Sequence, residues 1–572
     1  MKMPGATAVG GIRGAIPASE IRDLHDQVGK LQDLERHFRL LLACLPPVSP
    51  FVVGNPCKRS LFSAAMQSPI HFLRNADALA AAARFARSLD AAGVPERGAV
   101  ACLLANTPEY IAAYRGSTWS GRRFTPMSGR WTADDVAYVV GNCEADAVVV
   151  DARYAAIALE GTRHIDPTRR FLVGNAAVVA LPGFRPWSEV EALSGAPYEK
   201  PLCGETMLYT SGTTGRPKGV LRQNTPKGPP PTVTAQAGAA MMSAFMPEGA
   251  RAGIHLASAP LYHAGPNTYC DGALLLGADL VLMEHFDPEA FLAAVERFRA
   301  TSTFLVPTHF VRLLRLPPEV RNRYDLSSLS LVCHGSAPVS VEVKRAMLDW
   351  WGPILYEFYG GTEGGGVQIG PTEWLAKPGS VGRPRPGLEL AILDDAGNAV
   401  PPRAEGSVCF KLDATPFEYK GDPEKTRESR HGDGYFSLGD IGYVDEDGYL
   451  FLCDRRSDVI ISGGVNLYPA KIESVILGLP FVADCCVVGV PNEEWGEEVR
   501  AVVQLCDPSE CADDAARTEI AEAIRAECRA KLSGPELPRA VDFDEALPRT
   551  ETGKLARREI RERYWKGKGR KI

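Results

Sequence analysis

Short apolar runs separated by helical stretches constrain this chain most. AVACLL (99 to 104), DAVVVD (146 to 151), DLVLM (279 to 283) and STFLVP (302 to 307) are too short for helices and apolar enough to be buried on both faces. Strands of that kind need helices on either side. The clearest helix is Asn75 to Gly93, with a capping Asn75, Leu79, Ala82, Ala86 and Leu89 on one face, and a terminating Gly93. The fold class expected is therefore α/β, with a large N-terminal domain of stacked α/β sheets. A chain of 572 residues also exceeds the roughly 250 to 300 that one core can serve, so further domains are expected. No internal repeat is visible.

After about residue 380 the pattern changes. LELAILDDAGNAV and EGSVCFKL alternate polar and apolar positions, and Asp447-Gly448 is a hairpin signal. These features predict a small β-rich subdomain. DRRSDVI (454 to 460) then places four charged residues between apolar runs and reads as a domain junction. The expected organisation is a 1–66 extension, a main domain over 67–453, and a small, mobile α+β C-terminal domain over 454–572. The extension carries Ile21, Leu24, Val28, Leu31, Phe38, Leu42 and Leu45 at helical spacing. That helix would serve a homodimer or pack on its own domain.

Composition excludes several classes. With 45% hydrophobic and 23% charged residues the chain is neither disordered nor fibrous. A formal charge of -7 gives no bulk attraction for nucleic acid, and the basic end from Arg561 to Lys571 reads as a solvated terminus. Fourteen cysteines without any CxxC spacing point to free thiols in a reducing cytosol. No run approaches the roughly 20 apolar residues of a membrane span, and the N-terminus lacks a signal-peptide pattern, so a cytoplasmic protein is expected.

Function is concentrated in MLYTSGTTGRPKGV (207 to 220). Glycines expose consecutive backbone N–H groups there, while hydroxyls and one lysine add donors, a combination suited to wrapping phosphate oxygens. It is not a Walker loop, because Gly219 follows Lys218 where that pattern needs Ser or Thr.

With this loop the chain resembles the adenylate-forming (AMP-binding) superfamily, of the acyl-CoA synthetase or fatty-acid-CoA ligase type. The resemblance runs from about residue 67 to 562, and further motifs arrive in the family's order: HGSAP (334 to 338), YGGTEGGG (359 to 366), Asp440 in YFSLGDIGYVDEDGYL, DRRSDVI, ISGGVNLYPAKIE (461 to 473) and LPRTETGKLARREI (547 to 560). The resemblance implies a nucleotide site of Thr210, Ser211, Gly212, Thr213, Thr214, Gly215, Lys218, Gly335, Ser336, Ala337, Tyr359, Gly360, Asp440 and Arg455. Asp440 and Arg455 would hold the ribose. Thr362 and Glu363 would act at the phosphates, Glu363 as the Mg2+ ligand, an oxygen donor such an ion wants. Lys554 matches the adenylation lysine, whose ammonium would bridge attacking carboxylate and α-phosphate. Gly463 and Gly464 would line a coenzyme A tunnel after rotation of the C-terminal domain about Ser457, where relatives carry Asp or Lys.

The acyl group is expected against His263, Phe304, Gly361 and Gly364. His263 stands where amino-acid-activating relatives have an aspartate, which disfavours an α-amino acid. Gly364, Gly365 and Gly366 would leave width for a bulky or long acid or serve backbone geometry alone, with Phe304 and Val306 as apolar wall. The expected activity is ATP-dependent acyl-CoA ligation of a fatty, ring-bearing or steroid-side-chain carboxylate. Its alternatives are transfer to another acceptor, such as a carrier protein, and lactone formation. Departures from the family pattern are the first 66 residues, GPPP (228 to 231), and PELPR (535 to 539) in place of a lysine-bearing segment.

Overall fold

A computed structural model describes residues 69–174, 182–210, 216–222, 228, 230–244, 253–385, 387–412, 417–511, 513–549 and 555–566. The helix expected within 19–45, the loop residues Ser211, Gly212, Thr213, Thr214 and Gly215, and Lys554 lie outside the described residues.

The apolar runs form strands as expected. Ala99–Leu103, buried throughout, pairs in parallel with Ala145–Asp151 on one side and Arg123–Pro126 on the other, at the centre of a six-stranded sheet. An eight-stranded sheet carries Asp279–Met283, Ile254–Ala257, Ser302–Leu305, Leu331–Gly335 and Leu355–Gly361 as consecutive parallel neighbours. Helices Asn75–Ala91 and Pro108–Thr118 and the two sheets share one apolar core that includes Phe85, Val100, Phe124 and Leu280. Arg115 and Asp271, both about 1% exposed, form an ion pair at 2.8 Å across this layer, with Tyr114 donating to Asp271 at 2.7 Å.

The first helix corrects two details. Its N-cap position is Arg74, and Asn75 instead donates its amide to the carbonyls of Leu274 and Ala278 at 2.8 and 3.1 Å. Leu79 faces solvent, at 40% exposed, while Ala78, Phe85 and Leu89 fill the buried stripe with Ala82 and Ala86. Gly93 ends the helix at φ +66°.

The β-rich region beyond 380 is a four-stranded antiparallel sheet whose order is Leu388–Leu393, Gly406–Leu412, Phe436–Val444 and Leu450–Arg455. Asp447-Gly448 turns its last hairpin, with Gly448 at φ +78°. Sheet membership changes between Arg455 and Ile460. From Ile460 onward the strands belong to a five-stranded sheet with its own core of Ile472, Cys485, Val503 and Ile524. Within the basic end, helix Arg557–Trp565 packs on that sheet, and Arg561 and Arg563 pair with Glu497 and Asp544. Cysteines among the described residues are free. No described helix is long and apolar enough to cross a membrane.

Candidate active site

One cleft of about 2870 Å³ collects most of the motif residues. Thr210 and Lys218 enter it from the two strands flanking the glycine-rich loop, paired across an antiparallel ladder with Thr210 opposite Lys218. Lys218 Nζ lies 3.1 Å from Asp422 Oδ2. Asp422 is fixed because its other oxygen accepts from Lys425 N at 2.9 Å, capping helix Pro423–Glu428.

Tyr359, Asp440 and Arg455 meet in the same cleft. Asp440 and Arg455 are register partners on adjacent strands, and Arg455 Nε stands 3.3 Å from Asp440 Oδ1. Tyr359 donates its hydroxyl to Asp440 Oδ2 at 2.5 Å. Burial and then the Asp440 carboxylate push the Tyr359 phenol well up, so it keeps its proton and remains a donor. The carboxylate is thereby oriented while keeping acceptor capacity for vicinal hydroxyls.

Glu363 accepts from the Tyr419 hydroxyl at 2.7 Å through Oε1, and Arg222 donates to the Thr362 carbonyl at 3.3 Å. No cluster of three or more metal-ligating side chains exists among the described residues. Mg2+ on a nucleotide takes phosphate and water oxygens with one or two carboxylates, and Glu363 keeps a second oxygen, Oε2, that could serve such an ion.

Ser336 occupies the left-handed region at φ +71°, a conformation that costs a non-glycine residue about 1–3 kcal/mol. It follows Gly335, whose absent side chain is required because a Cβ would stand 2.3 Å from the Phe358 carbonyl. Gly335 and Phe304 sit behind the cleft surface, whereas Ser336, Ala337, Gly360, Gly361 and Gly364 line it. Phe304 supports Tyr269, their ring centroids 5.1 Å apart, and Val306 shares the same core.

Two of the three glycines after Glu363 meet a backbone requirement. Gly365 and Gly366 have φ of +76° and +140°, and a Cβ on them would meet the Phe410 and Phe358 rings at 2.7 and 2.6 Å. They permit a tight hairpin on an aromatic core, and Gly364 and Gly365 also line the cleft. The helices Val233–Ser243 and Ala264–Leu275 also line the cleft, and they touch backbone to backbone at Gly238 and Gly272. His263 precedes the second helix and faces the cleft beside Tyr262.

The junction residues Asp454, Arg455, Ser457 and Asp458 also line the cleft, as do Leu555 and Ala556, next in sequence to Lys554. Gly463 and Gly464 do not. They turn the Ile460–Ser462/Val465–Leu467 hairpin at φ +58° and +83°, with Gly463 against the Trp495 ring. Asp454 accepts from Ala470 N at 2.8 Å, and burial, only partly offset by Arg557, raises its carboxyl to about 6.

Sequence reading missed Tyr419, Arg222 and Arg385 in this cleft, and Asp422 as the partner of Lys218. Asp422-Pro423 carries a helix-start signal that could have been read. The others lie in stretches without a motif.

Residues 73–415 match the family of AMP-binding enzymes, and residues 471–554 match the AMP-binding enzyme C-terminal domain. The chain belongs to this family. It is an adenylate-forming, ATP-binding ligase, and the expected large domain with several sheets and small C-terminal domain is the family's fold. The AMP-binding enzyme is 33% identical to a feruloyl-CoA synthase from an Amycolatopsis species, over 84% of this chain and 92% of that one. It is 30% identical to the fatty acid–[acyl-carrier-protein] ligase ScoC of Streptomyces coeruleorubidus, over 86% and 91%. Among solved structures, ATP-bound MatB from Rhodopseudomonas palustris superposes with a TM-score of 0.70 at 26% identity, covering 86% of this chain and 93% of MatB.

Proposed function

We propose that the AMP-binding enzyme is a carboxylate–CoA ligase acting on an acid with a largely apolar body. In the first step a carboxylate oxygen attacks the α-phosphorus of ATP, the bond to the β-phosphate breaks, and acyl-AMP and pyrophosphate form. In the second the thiol of coenzyme A attacks the acyl carbon, the bond to AMP breaks, and the thiol proton leaves to solvent.

The observation carrying this reading is the convergence of Lys218, Glu363 and the Tyr359–Asp440–Arg455 triad, from separate stretches of sequence, on one cleft. Lys218 faces the phosphate end. The triad orients Asp440 toward the ribose hydroxyls. Magnesium bound at Glu363 would neutralise phosphate charge. Lys554 is assigned to the first step, and the cleft position of its neighbours Leu555 and Ala556 supports an adenylating arrangement of the C-terminal domain. Gly463 and Gly464 would enter after rotation about Ser457, within a domain starting near residue 454.

A second reading, transfer to a carrier protein, is favoured by the likeness to ScoC. One experiment separates the two. The protein is incubated with MgATP and a pool of acids, with or without coenzyme A, and products are read by mass spectrometry. Acyl-CoA formed only with coenzyme A supports the ligase, while accumulation of acyl-AMP that coenzyme A does not consume overturns it.

A further inference from the structure

The cations of the nucleotide end have anionic partners: Lys218 has Asp422 and Arg455 has Asp440. Arg385 does not. It lines the same cleft just after the short strand Arg383–Pro384, which pairs with Val367 and Gln368 beyond the glycine hairpin. Its Nε is enclosed by protein and has no hydrogen-bond partner among the described residues. No carboxylate among the described residues pairs with it either. Around it are aromatic groups: the guanidinium stands 6.0 Å from the Phe358 ring centroid, and the Tyr269 phenol is its electrostatic neighbour. Burial lowers its affinity for the proton, with Tyr269 only partly offsetting this.

Arg385 is half-buried, its Nε enclosed without a partner while the rest of the guanidinium faces the cleft, and its planar fork fits a carboxylate in bidentate fashion. Its place in the cleft indicates which carboxylate. Helix Ala264–Leu275 presents Gly265 beside Ser336, where a Cβ would come within 3.3 Å of the serine hydroxyl. Tyr269 follows four residues later, about 6 Å further along the helix axis, and Arg385 lies next to Tyr269. The cation is thus set off from the Lys218 and Asp440 end, among the aromatic walls of the acyl region.

We infer that the acid activated here carries a second carboxylate at the far end of its apolar body, and that Arg385 pairs with it. The substrate class is a dicarboxylic acid activated at one end only. This rests on the ligase reading and narrows its substrate.

The test is ATP–pyrophosphate exchange by the full chain with matched acids: α,ω-alkane and arene dicarboxylic acids, their monomethyl esters, and monocarboxylic acids of equal length. Wild type should prefer the best diacid to its monoester by at least about tenfold in kcat/KM. Arg385→Leu should lower kcat/KM for the diacid by about a hundredfold and leave monocarboxylic acids within about threefold, as expected for losing one charge-assisted bidentate contact. Arg385→Lys, which keeps the charge without the fork, should lower the diacid-to-monoester ratio as well, and it decides the matter if the leucine variant fails to fold. Equal or better use of monoesters by wild type, with a ratio unmoved by either variant, overturns the inference while leaving the ligase reading standing. No exchange with any acid overturns both. Because exchange needs no coenzyme A, an error about the acceptor does not affect the result.

Discussion

Asp440 and Arg455 face each other across adjacent antiparallel strands, 3.3 Å apart, with the Tyr359 hydroxyl on the other carboxylate oxygen. Two strands and a neighbouring sheet therefore aim one acceptor group before any nucleotide arrives. Asp440→Ala should raise KM for ATP by about 10- to 100-fold, the range for losing hydrogen bonds to a charged group. Tyr359→Phe should cost less, about three- to tenfold, since the arginine remains. Initial-rate kinetics at varied ATP check both, and a larger effect for Tyr359→Phe would reverse the roles.

Asp422 holds Lys218 and caps a helix with separate oxygens. Asp422→Asn preserves a capping oxygen, so Tm should barely move, whereas Asp422→Ala should lose about 1 kcal/mol of stability. Both remove the anion next to Lys218, so both should shift KM for MgATP in the same direction. Thermal melts and kinetics on the pair separate the cap from the charge.

Lys554 is assigned from the motif order. Lys554→Ala should slow pyrophosphate release by about 100- to 1000-fold, as for loss of one electrostatic stabiliser of the transition state. Transfer from separately supplied acyl-AMP to coenzyme A should fall by less than about tenfold under the same assignment. Equal losses in both half-reactions would show a merely structural lysine.

Gly464 has φ +83° and open space beside it, so Gly464→Ala meets backbone strain and no clash. Stability should drop by about 1 kcal/mol. Pyrophosphate release should persist while thioester formation falls, if this turn contacts coenzyme A.

The Asp454 carboxyl sits near 6, above its ordinary range, chiefly through burial. A carboxyl raised in the folded state stabilises the fold while protonated, and that contribution is lost as pH rises from about 4 through 6. Asp454→Asn never ionises. Its Tm relative to wild type should therefore climb over that window and level off above about pH 7. A difference independent of pH would refute the assignment.

The strands at 99–104, 146–151, 279–283 and 302–307 were legible because burial on both faces leaves an uninterrupted apolar run. The loop around Lys218, the Tyr359 and Glu363 hairpin, and Asp440 with Arg455 were legible through their resemblance to a family. Asn75 was misread as a cap because Asn satisfies backbone groups wherever they are orphaned, and here those are the carbonyls of Leu274 and Ala278. Leu79 was misplaced because helical spacing alone does not choose between neighbouring stripes. Tyr419, Arg222 and Arg385 left no trace, since their meaning depends on which distant residue the fold sets beside them.

The glycine hairpin under the cleft has one further consequence. Gly365 and Gly366 cannot accept a side chain without displacing Phe410 or Phe358, so the floor is closed to evolutionary drift. Descendants seeking new substrates must change the walls instead, at His263, Arg385 and the cleft-facing positions of the helix Val233–Ser243. Divergence in taste would then be written in a few scattered positions while the motifs that name the family stay unchanged.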